Sequence, residues 1–426
     1  MKKHLYILSF ASLLNATAQP EFDYKEFTKT MCSSEFHGRG YVNAGDSIAA
    51  QYIAAAFSKI GIKPIQSSYF QAFSFNVNTF PNEVSFKVND EALQPGIDFI
   101  SMPQSSGTWK NRSCTEIVYT PIYISGKDFI ENYRYYLAKG KKNKILVVKN
   151  DTRSKDSSLN LHFLIEDYAK KHNVIEVVED KFTWSVRQNA FDNLYLQIQK
   201  SALQNMASTD LFSIHIDQKF QNSHTSNNVI GIIPAKRKSK GSIMISAHYD
   251  HLGRFGNKTL FPGANDNASG VAMMLYLGQK FKTNPLRKKD IILVAFAGEE
   301  IGLLGSKHLS EHPLFPLEKI HFQLNLDIMG SGEKGITAVN GTLFKKQFRQ
   351  LSTLNKRLKS VPNVKSRGRA ANSDHHFFTE KGVPGFFIYT RGYNQNYHDV
   401  NDTFENLSFN SFENLSVLFD LFLRRL

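Results

Sequence analysis

Acidic and histidine side chains follow three apolar runs of this sequence, at the points where the runs end. They are His248 and Asp250 after residues 242–247, Glu299 and Glu300 after residues 291–296, and Asp327 after residues 322–326. Asp266, in GANDNASG, and His398, in YNQNYHDV, are further candidates in loop-like segments. A buried charge is costly unless it is paired or bound to metal. Since the candidates have no nearby basic partner, bound cations are the simplest explanation.

The types of these side chains indicate which cation would bind. Imidazole and carboxylate together suit zinc, with manganese or cobalt as alternatives, and the absence of cysteine argues against a purely structural zinc site. The candidate ligands are His248, Asp266, Glu300, Asp327 and His398. They are too many for one catalytic zinc, which takes three, but suit two ions that share a bridging carboxylate. The sequence therefore predicts two zinc ions per chain.

Each candidate also has a purely structural explanation when it is taken alone. Glu299 and Glu300 could begin a helix, because acidic residues favour its first turn. His248 could be a core histidine, and Asp327 could cap a turn. The combination of several such motifs along one chain favours the metal site over these separate explanations.

The elements that must position these residues alternate between strand and helix from about residue 227 onward. Strand-like runs cover residues 229–233, 242–247, 291–296, 322–326 and 385–389. Helical patterns cover residues 46–60, 268–281, 343–358 and 409–423. This alternation predicts an α/β fold with a mixed, mostly parallel central sheet covered by helices on both faces. In such sheets, ligands bind beyond the carboxyl ends of the strands, where the candidate residues lie.

The chain is too long for one core, and its character changes along its length. Residues 1–18 are typical of a signal peptide cleaved after Ala18, which predicts an exported protein, periplasmic or secreted, with a membrane-anchored form as the alternative. No segment is predicted to span a membrane. Residues 19–71 and 223–426 are interpreted as the two parts of the main domain, and residues 72–222 as an inserted smaller domain. Cys32 and Cys114 could form one disulfide or remain two thiols.

The formal net charge of +14 favours anionic partners such as envelope polymers. The basic residues are scattered, and the run at residues 236–240 is interpreted as the solvated tip of a hairpin. No nucleic-acid-binding signature accompanies it, so nucleic acid is not an expected partner. The oligomeric state is left open.

Five motifs resemble those of the secreted bacterial di-zinc aminopeptidases of leucyl aminopeptidase type, in the same order and at similar spacing. They are SAHYDHLG, GANDNASGVAMM, AFAGEEIGLLGS, LNLDIMG and SDHHFFTEKGVP…YHDVNDT. The superfamily also includes glutaminyl cyclase, glutamate carboxypeptidase and the transferrin receptor. The resemblance implies the zinc aminopeptidase fold, a divergent protease-associated domain as the insert, and a cis peptide bond between Asp266 and Asn267.

The resemblance also implies a role for each candidate residue. His248 and Asp327 would hold one zinc, Glu300 and His398 the other, and Asp266 would bridge them. Glu299 would be the general base, Asp250 would orient His248, and Tyr397 would donate a hydrogen bond to the developing oxyanion. His251 and His308 are expected at the surface or behind the ligands.

The predicted function is hydrolysis of N-terminal residues from peptides by an exported metallopeptidase. Three alternatives remain: a glutaminyl cyclase-like acyltransferase with a single zinc, a carboxypeptidase of the same superfamily, and a non-catalytic binding protein. Retention of all five candidate ligands argues against the last, because non-catalytic members lose them. His248 and the bridging arrangement argue against the cyclase.

Overall fold

The computed structural model describes residues 21–110, 113–114, 116–139, 143–151, 155–203, 207 and 209–426. The predicted signal peptide, residues 1–18, lies outside these residues. Cys32 is a free thiol whose pKa is raised by burial to about 12, and the side chain of Cys114 lies outside the described part of the chain. None of the described helices is long and apolar enough to cross a membrane.

The described part of the chain contains ten α-helices, four of which were predicted from the apolar periodicity. In chain order they are α1 (Tyr24–Met31), α2 (Gly45–Ile60), α3 (Gly126–Glu131), α4 (Tyr133–Ala138), α5 (Lys155–Ala169), α6 (Ser269–Thr283), α7 (Leu304–Glu311), α8 (Lys345–Leu358), α9 (His375–Glu380) and α10 (Phe412–Leu423). The four predicted helical segments correspond to α2, α6, α8 and α10. Gly61 ends α2 with a φ of 81°, a left-handed conformation that glycine adopts without strain.

The strands form two large sheets and two short hairpins. In chain order they are β1 (Lys63–Pro64), β2 (Phe70–Thr79), β3 (Val84–Val88), β4 (Glu91–Ala92), β5 (Phe99–Ser101), β6 (Trp109–Lys110), β7 (Ser113–Cys114), β8 (Ile117–Ser125), β9 (Lys144–Lys149), β10 (Val174–Val178), β11 (Tyr195–Gln199), β12 (Phe212–Ile216), β13 (Lys219–Ile233), β14 (Ser242–His248), β15 (Gly253–Phe255), β16 (Thr259–Phe261), β17 (Asp290–Phe296), β18 (Ile320–Asp327), β19 (Ile336–Val339), β20 (Val364–Ser366) and β21 (Gly385–Thr390).

The first sheet has the strand order β1-β13-β17-β14-β18-β21-β19-β20, and β2 pairs with β13. Its central strands β17, β14, β18 and β21 are parallel, whereas β13 runs antiparallel to β17, and β19 runs antiparallel to β21 but parallel to β20. Because the carboxyl ends of parallel strands lie at one edge, the residues that follow β14, β17 and β18 are brought together there.

Helices cover both faces of this sheet, as expected from the sequence. Ile243 and Ile245 pack with α2, α6 and α10 on one face, and Met244 packs with α7 and α9 on the other. Burial on both faces explains why the central strands are continuous apolar runs rather than alternating ones. The predicted mixed, mostly parallel sheet with helices on both faces is therefore confirmed.

The second sheet has the order β4-β3-β12-β8-β9-β10-β11-β5, with β8 to β11 parallel. All of its strands lie between Val84 and Ile216. One face packs against α3 and α5, and the other contacts Phe255 and Phe261 of the β15–β16 hairpin. The sheet thus lies against the loop that follows β14.

The strand order bears on two predictions from the sequence: the domain borders and the hairpin at residues 236–240. The borders predicted at residues 71/72 and 222/223 fall inside β2 and β13, which pair with each other in the first sheet. The division into a main and an inserted domain stays a prediction. The hairpin expected at residues 236–240 is wrong, because β17 lies between β13 and β14 and the basic segment is an exposed crossover.

Candidate metal centre

The predicted site residues converge at the carboxyl edge of the first sheet. His248 is the last residue of β14 and Asp327 the last residue of β18, which is the neighbouring strand. Glu299 and Glu300 follow β17, the strand on the other side of β14. Asp266 lies in the turn before α6. The central position of β14 places His248 between the two groups of carboxylates.

The first half of the cluster is built around His248. Its Nε2 atom lies 3.4 Å from Oδ1 of Asp266 and 3.5 Å from Oδ1 of Asp327. Ligand atoms of His248, Glu299 and Asp327 also lie within 4.8 Å of one another. These three polar groups therefore point at a common volume that is small enough for one cation.

The second half is built around His398. Its Nε2 atom lies 3.4 Å from Oδ2 of Asp266 and 3.0 Å from Oε2 of Glu300. The two carboxylate oxygens of Asp266 therefore face different histidines. This is the arrangement that a carboxylate shared between two adjacent cations needs.

Several polar atoms at the centre have no hydrogen-bond partner within the described residues. Oδ1 of Asp327 and Nε2 of His398 are both buried and make no hydrogen bond of normal geometry, although Nε2 of His398 lies 3.0 Å from Oε2 of Glu300. A buried polar atom left unpaired costs about 1–3 kcal/mol, so such atoms in a native site call for another partner. The chemistry of the donor set, imidazole nitrogen and carboxylate oxygen, fits zinc.

The pKa values of the buried carboxylates also indicate that this site binds a cation. Burial raises the pKa of Asp327 to about 6, although the charge of His248 opposes the shift. Burial also raises the pKa of Glu299 well above its usual range, and the charges of Glu300 and Asp374 add to this. Negative charge is crowded here, and a bound cation would relieve it.

Asp250 contacts the segment of the two glutamates. Its carboxylate accepts hydrogen bonds from the backbone N–H of Glu299 at 3.1 Å and of Glu300 at 3.2 Å, and from the hydroxyl of Tyr41 at 2.7 Å. Nδ1 of His248 lies 3.2 Å from the backbone oxygen of Asp250 and 3.9 Å from its carboxylate. The carboxylate thus fixes where both glutamates leave β17.

The turn that carries Asp266 is held by a second aspartate. Asp402 accepts hydrogen bonds from the backbone N–H groups of Asn265 and Asp266 at 3.0 Å. The peptide bond between Asp266 and Asn267 is cis, as the resemblance implied. The ring of Tyr397 stacks on His398 with centroids 3.9 Å apart and is 52% exposed, so its hydroxyl role stays a prediction.

Two further buried residues contact the site. His251, expected at the surface or behind the ligands, lies behind one of them, with its Nδ1 atom 2.7 Å from Oε1 of Glu300. Arg39 was not predicted from the sequence; it is buried and donates to the backbone oxygens of Pro262 and Gly263, before the Asp266 turn. His308, in contrast, is partly exposed in α7 and stacks on Phe73.

A segment between β10 and β11 of the second sheet also contacts the site. Nδ1 of His398 lies 2.7 Å from the backbone oxygen of Trp184. The Lys181 ammonium donates to the backbone oxygens of Gln395 and Tyr397, the latter at 3.2 Å, and lies 3.5 Å from the carboxylate of Asp399. The second sheet therefore holds the loop that presents His398.

Comparison with known proteins matches this region to a described family. Residues 228–420 match the model of Peptidase family M28. Aminopeptidase YwaD of Bacillus subtilis is 33% identical over 195 residues, which are 44% of this chain and 41% of that protein. A probable leucine aminopeptidase of Arthroderma otae is 30% identical over 210 residues, 45% of this chain and 55% of that protein. The match thus spans about half the length of these curated relatives.

Solved structures extend the likeness to nearly the whole chain. A zinc aminopeptidase from Bacillus subtilis superposes with a TM-score of 0.66 at 20% identity, covering 95% of this chain and 96% of that one. An aminopeptidase from Aneurinibacillus sp. strain AM-1 gives a TM-score of 0.59 at 20% identity, covering 94% and 93%. At this identity the likeness establishes a shared fold.

Proposed function

We propose that this chain, whose residues 228–420 match the model of Peptidase family M28, is an exported zinc-dependent metallopeptidase that removes N-terminal residues from peptides. The observation that carries the proposal is the convergence of five side chains, distant in sequence, on one edge of the sheet. The names of the related aminopeptidases support the reaction class.

The metal ligands are assigned by the two histidine-centred halves of the cluster. His248 and Asp327 would hold one zinc, Glu300 and His398 would hold the other, and Asp266 would be shared between the two. Oδ1 of Asp266 lies 3.4 Å from His248, and Oδ2 lies 3.4 Å from His398. Because each oxygen faces a different histidine, the bridging role is supported. Oε1 of Glu300 lies 2.7 Å from Nδ1 of His251. This contact leaves Oε2 of Glu300 directed at His398.

Glu299 is assigned the role of general base. When bound, zinc ions would polarise a water molecule and stabilise the oxyanion formed by its attack on the peptide carbonyl. Glu299 accepts the proton of that water and returns it to the leaving amine. Burial raises the pKa of Glu299, and a carboxylate that binds a proton more tightly than usual is a better acceptor for the proton of the water. The carboxylate of Asp250 keeps Glu299 in place by accepting a hydrogen bond from the backbone N–H of Glu299.

A cavity beside Asp266 is the candidate site for the side chain that is removed. It has a volume of about 310 Å³ and is lined in part by Ile328, Thr390 and Tyr397. A volume of this size accommodates one amino-acid side chain rather than a folded segment. This supports cleavage at a chain end.

The decisive experiment is digestion of a peptide library by the zinc-loaded protein, read by mass spectrometry. Stepwise loss of N-terminal residues is expected, together with two zinc ions per chain by elemental analysis. Release of C-terminal residues would identify a carboxypeptidase instead. A single zinc with cyclisation of N-terminal glutamine would identify an acyltransferase. Full metal loading without any turnover would identify a binding protein.

Export is tested separately. The protein recovered from the medium or periplasm should begin at Gln19, as read by N-terminal sequencing, if residues 1–18 are removed as predicted.

A further inference from the structure

A long stretch of this chain carries positive charge without any negative charge. Residues 334–373 contain ten lysines and arginines and no aspartate or glutamate. They include β19 and β20, which form the outer end of the first sheet, and the helix α8. The charge therefore concentrates on one part of the surface, in contrast to the scattered basic residues elsewhere.

Part of this charge lines a groove between α8 and β20, here called the basic groove. The groove has a volume of about 650 Å³, and its lining includes Lys345, Arg349 and Lys356 from one face of α8. Phe348 and Val364 form an apolar floor that packs on the core. No acidic residue is among those that line it.

The three basic side chains of the basic groove are free of protein partners. Within the described residues, Lys345, Arg349 and Lys356 are exposed, and no side-chain hydrogen bond or ion pair involves them. Nearby basic residues differ: Arg369 pairs with Glu380 at 2.8 Å, and Lys334 lies over the ring of Tyr393. The groove thus keeps three cations available for a ligand.

Their spacing fits a linear ligand with repeated charges. At a rise of 1.5 Å per residue, Lys345 and Arg349 are about 6 Å apart along the helix, and Arg349 and Lys356 about 10 Å. Arg349 can bind two oxygens of one phosphate, and the hydroxyls of Ser352 and Ser366 in the same groove can donate to others. Several phosphates of one chain could therefore be bound together.

The lining disfavours nucleic acid within this class of ligand. Single-stranded nucleic acids usually stack their bases on exposed aromatic side chains. Phe348, the aromatic residue of the groove, packs on the core instead. The groove therefore offers charge and hydroxyl donors without a stacking surface.

We propose that the basic groove binds a linear phosphodiester polymer without bases, of the glycerol-phosphate type. The site is separate from the metal centre, since β20 lies three strands from β18, about 14 Å across the sheet. Its role is to hold the protein on an anionic polymer while the carboxyl edge of the sheet remains accessible. The proposal does not depend on the peptidase activity.

The test compares two variants with equal loss of charge. In the groove variant, Lys345, Arg349 and Lys356 are replaced by Gln; in the control variant, Lys236, Arg237 and Lys238 of the exposed crossover are replaced by Gln. Binding of a glycerol-phosphate oligomer is measured by calorimetry for the zinc-loaded proteins. The groove variant should bind at least about tenfold more weakly than the control, and its slope of log affinity against log salt should be smaller by about 2.

Two further probes decide the class of ligand. Oligodeoxythymidylate with the same number of phosphates should bind no more tightly than the glycerol-phosphate oligomer, and polyglutamate of equal charge should bind more weakly. Equal weakening of both variants would overturn the site. Markedly tighter binding of the DNA would identify a nucleic-acid site instead, and equal binding of polyglutamate would remove the preference for phosphate. Circular dichroism confirms that both variants are folded.

Discussion

Each of the two large sheets holds a buried carboxylate beside a histidine, yet the two surroundings differ. In the second sheet, Glu176 of β10 accepts hydrogen bonds from Asn150 at 3.1 Å, Tyr195 at 3.1 Å and Gln197 at 2.9 Å, and lies 3.0 Å from Nδ1 of His162. The protein itself satisfies this carboxylate. At the edge of the first sheet, Oδ1 of Asp327 and Nε2 of His398 lie among other titratable groups and make no hydrogen bond of normal geometry.

A candidate metal site is therefore recognised by the polar atoms that the protein leaves unsatisfied, and not by residue types alone. Both clusters combine carboxylate and imidazole. The neutral donors around Glu176 make a cation unnecessary there, whereas the centre at His248 brings together several carboxylates and few donors. Variants at matched positions of the two clusters can test this contrast.

The largest effect is expected from Glu299→Gln. Loss of the general base should lower kcat by about 10²- to 10⁴-fold while zinc content stays unchanged. Glu176→Gln is the matched control, because it makes the same change at a buried glutamate of the other cluster and should leave kcat unaffected. Turnover of a peptide substrate and elemental analysis measure both. Near-normal turnover in Glu299→Gln would remove the assignment.

Asp266→Asn should break the metal centre itself. The amide supplies one oxygen where two are needed, so at least one zinc per chain should be lost, as measured by mass spectrometry under native conditions. Asp46→Asn is the control, since Asp46 also contacts a histidine, His224, at 2.8 Å, but lies outside the cluster. Retention of full zinc by Asp266→Asn would contradict the bridging role.

Lys181→Met should have an intermediate effect. It removes the ammonium that contacts the backbone oxygens of Gln395 and Tyr397, so the loop carrying His398 loses support. Zinc affinity should fall by about tenfold, as read by competition with a chelator. Lys200→Met, which removes an exposed pairing with Glu179, should leave zinc affinity unchanged. Equal effects of the two changes would show that the second sheet does not support the site.

The smallest effect is expected in the pH dependence of folding stability, through Glu176 of the second sheet. Burial raises the pKa of Glu176, but hydrogen bonds from His162, Gln197 and Tyr195 outweigh it, so the pKa lies below its usual value of 4.5. A lowered folded-state pKa stabilises the protein above the unfolded pKa, and this contribution is lost as the pH falls. Wild type should therefore exceed Glu176→Gln in stability by about 1–3 kcal/mol at neutral pH.

Urea unfolding from about pH 7 down to about pH 3 measures this difference. The advantage of the wild type should shrink as the pH falls below about 4.5. A constant difference across the range would mean that Glu176 contributes through packing rather than through its charge.

Local patterns predicted much of the fold and of the site. The apolar runs at residues 242–247 and 291–296 are buried on both faces, so their strands could be recognised without tertiary information. Contacts between distant segments could not be predicted in this way. The hairpin at residues 236–240 was wrong because strand insertion by β17 leaves no local signal. The contact of Lys181 with the His398 loop joins segments 216 residues apart, as measured to Tyr397, and depends on how the second sheet lies on the first.

The backbone oxygen of Trp184 carries a consequence for protein engineering. A shortened chain without the second sheet would keep every proposed zinc ligand, yet the imidazole of His398 would lose the acceptor that sets its tautomer. Such a truncated protein would retain the proposed ligands but should bind zinc more weakly. The segment between β10 and β11 is therefore a structural part of the candidate metal centre and not a removable attachment.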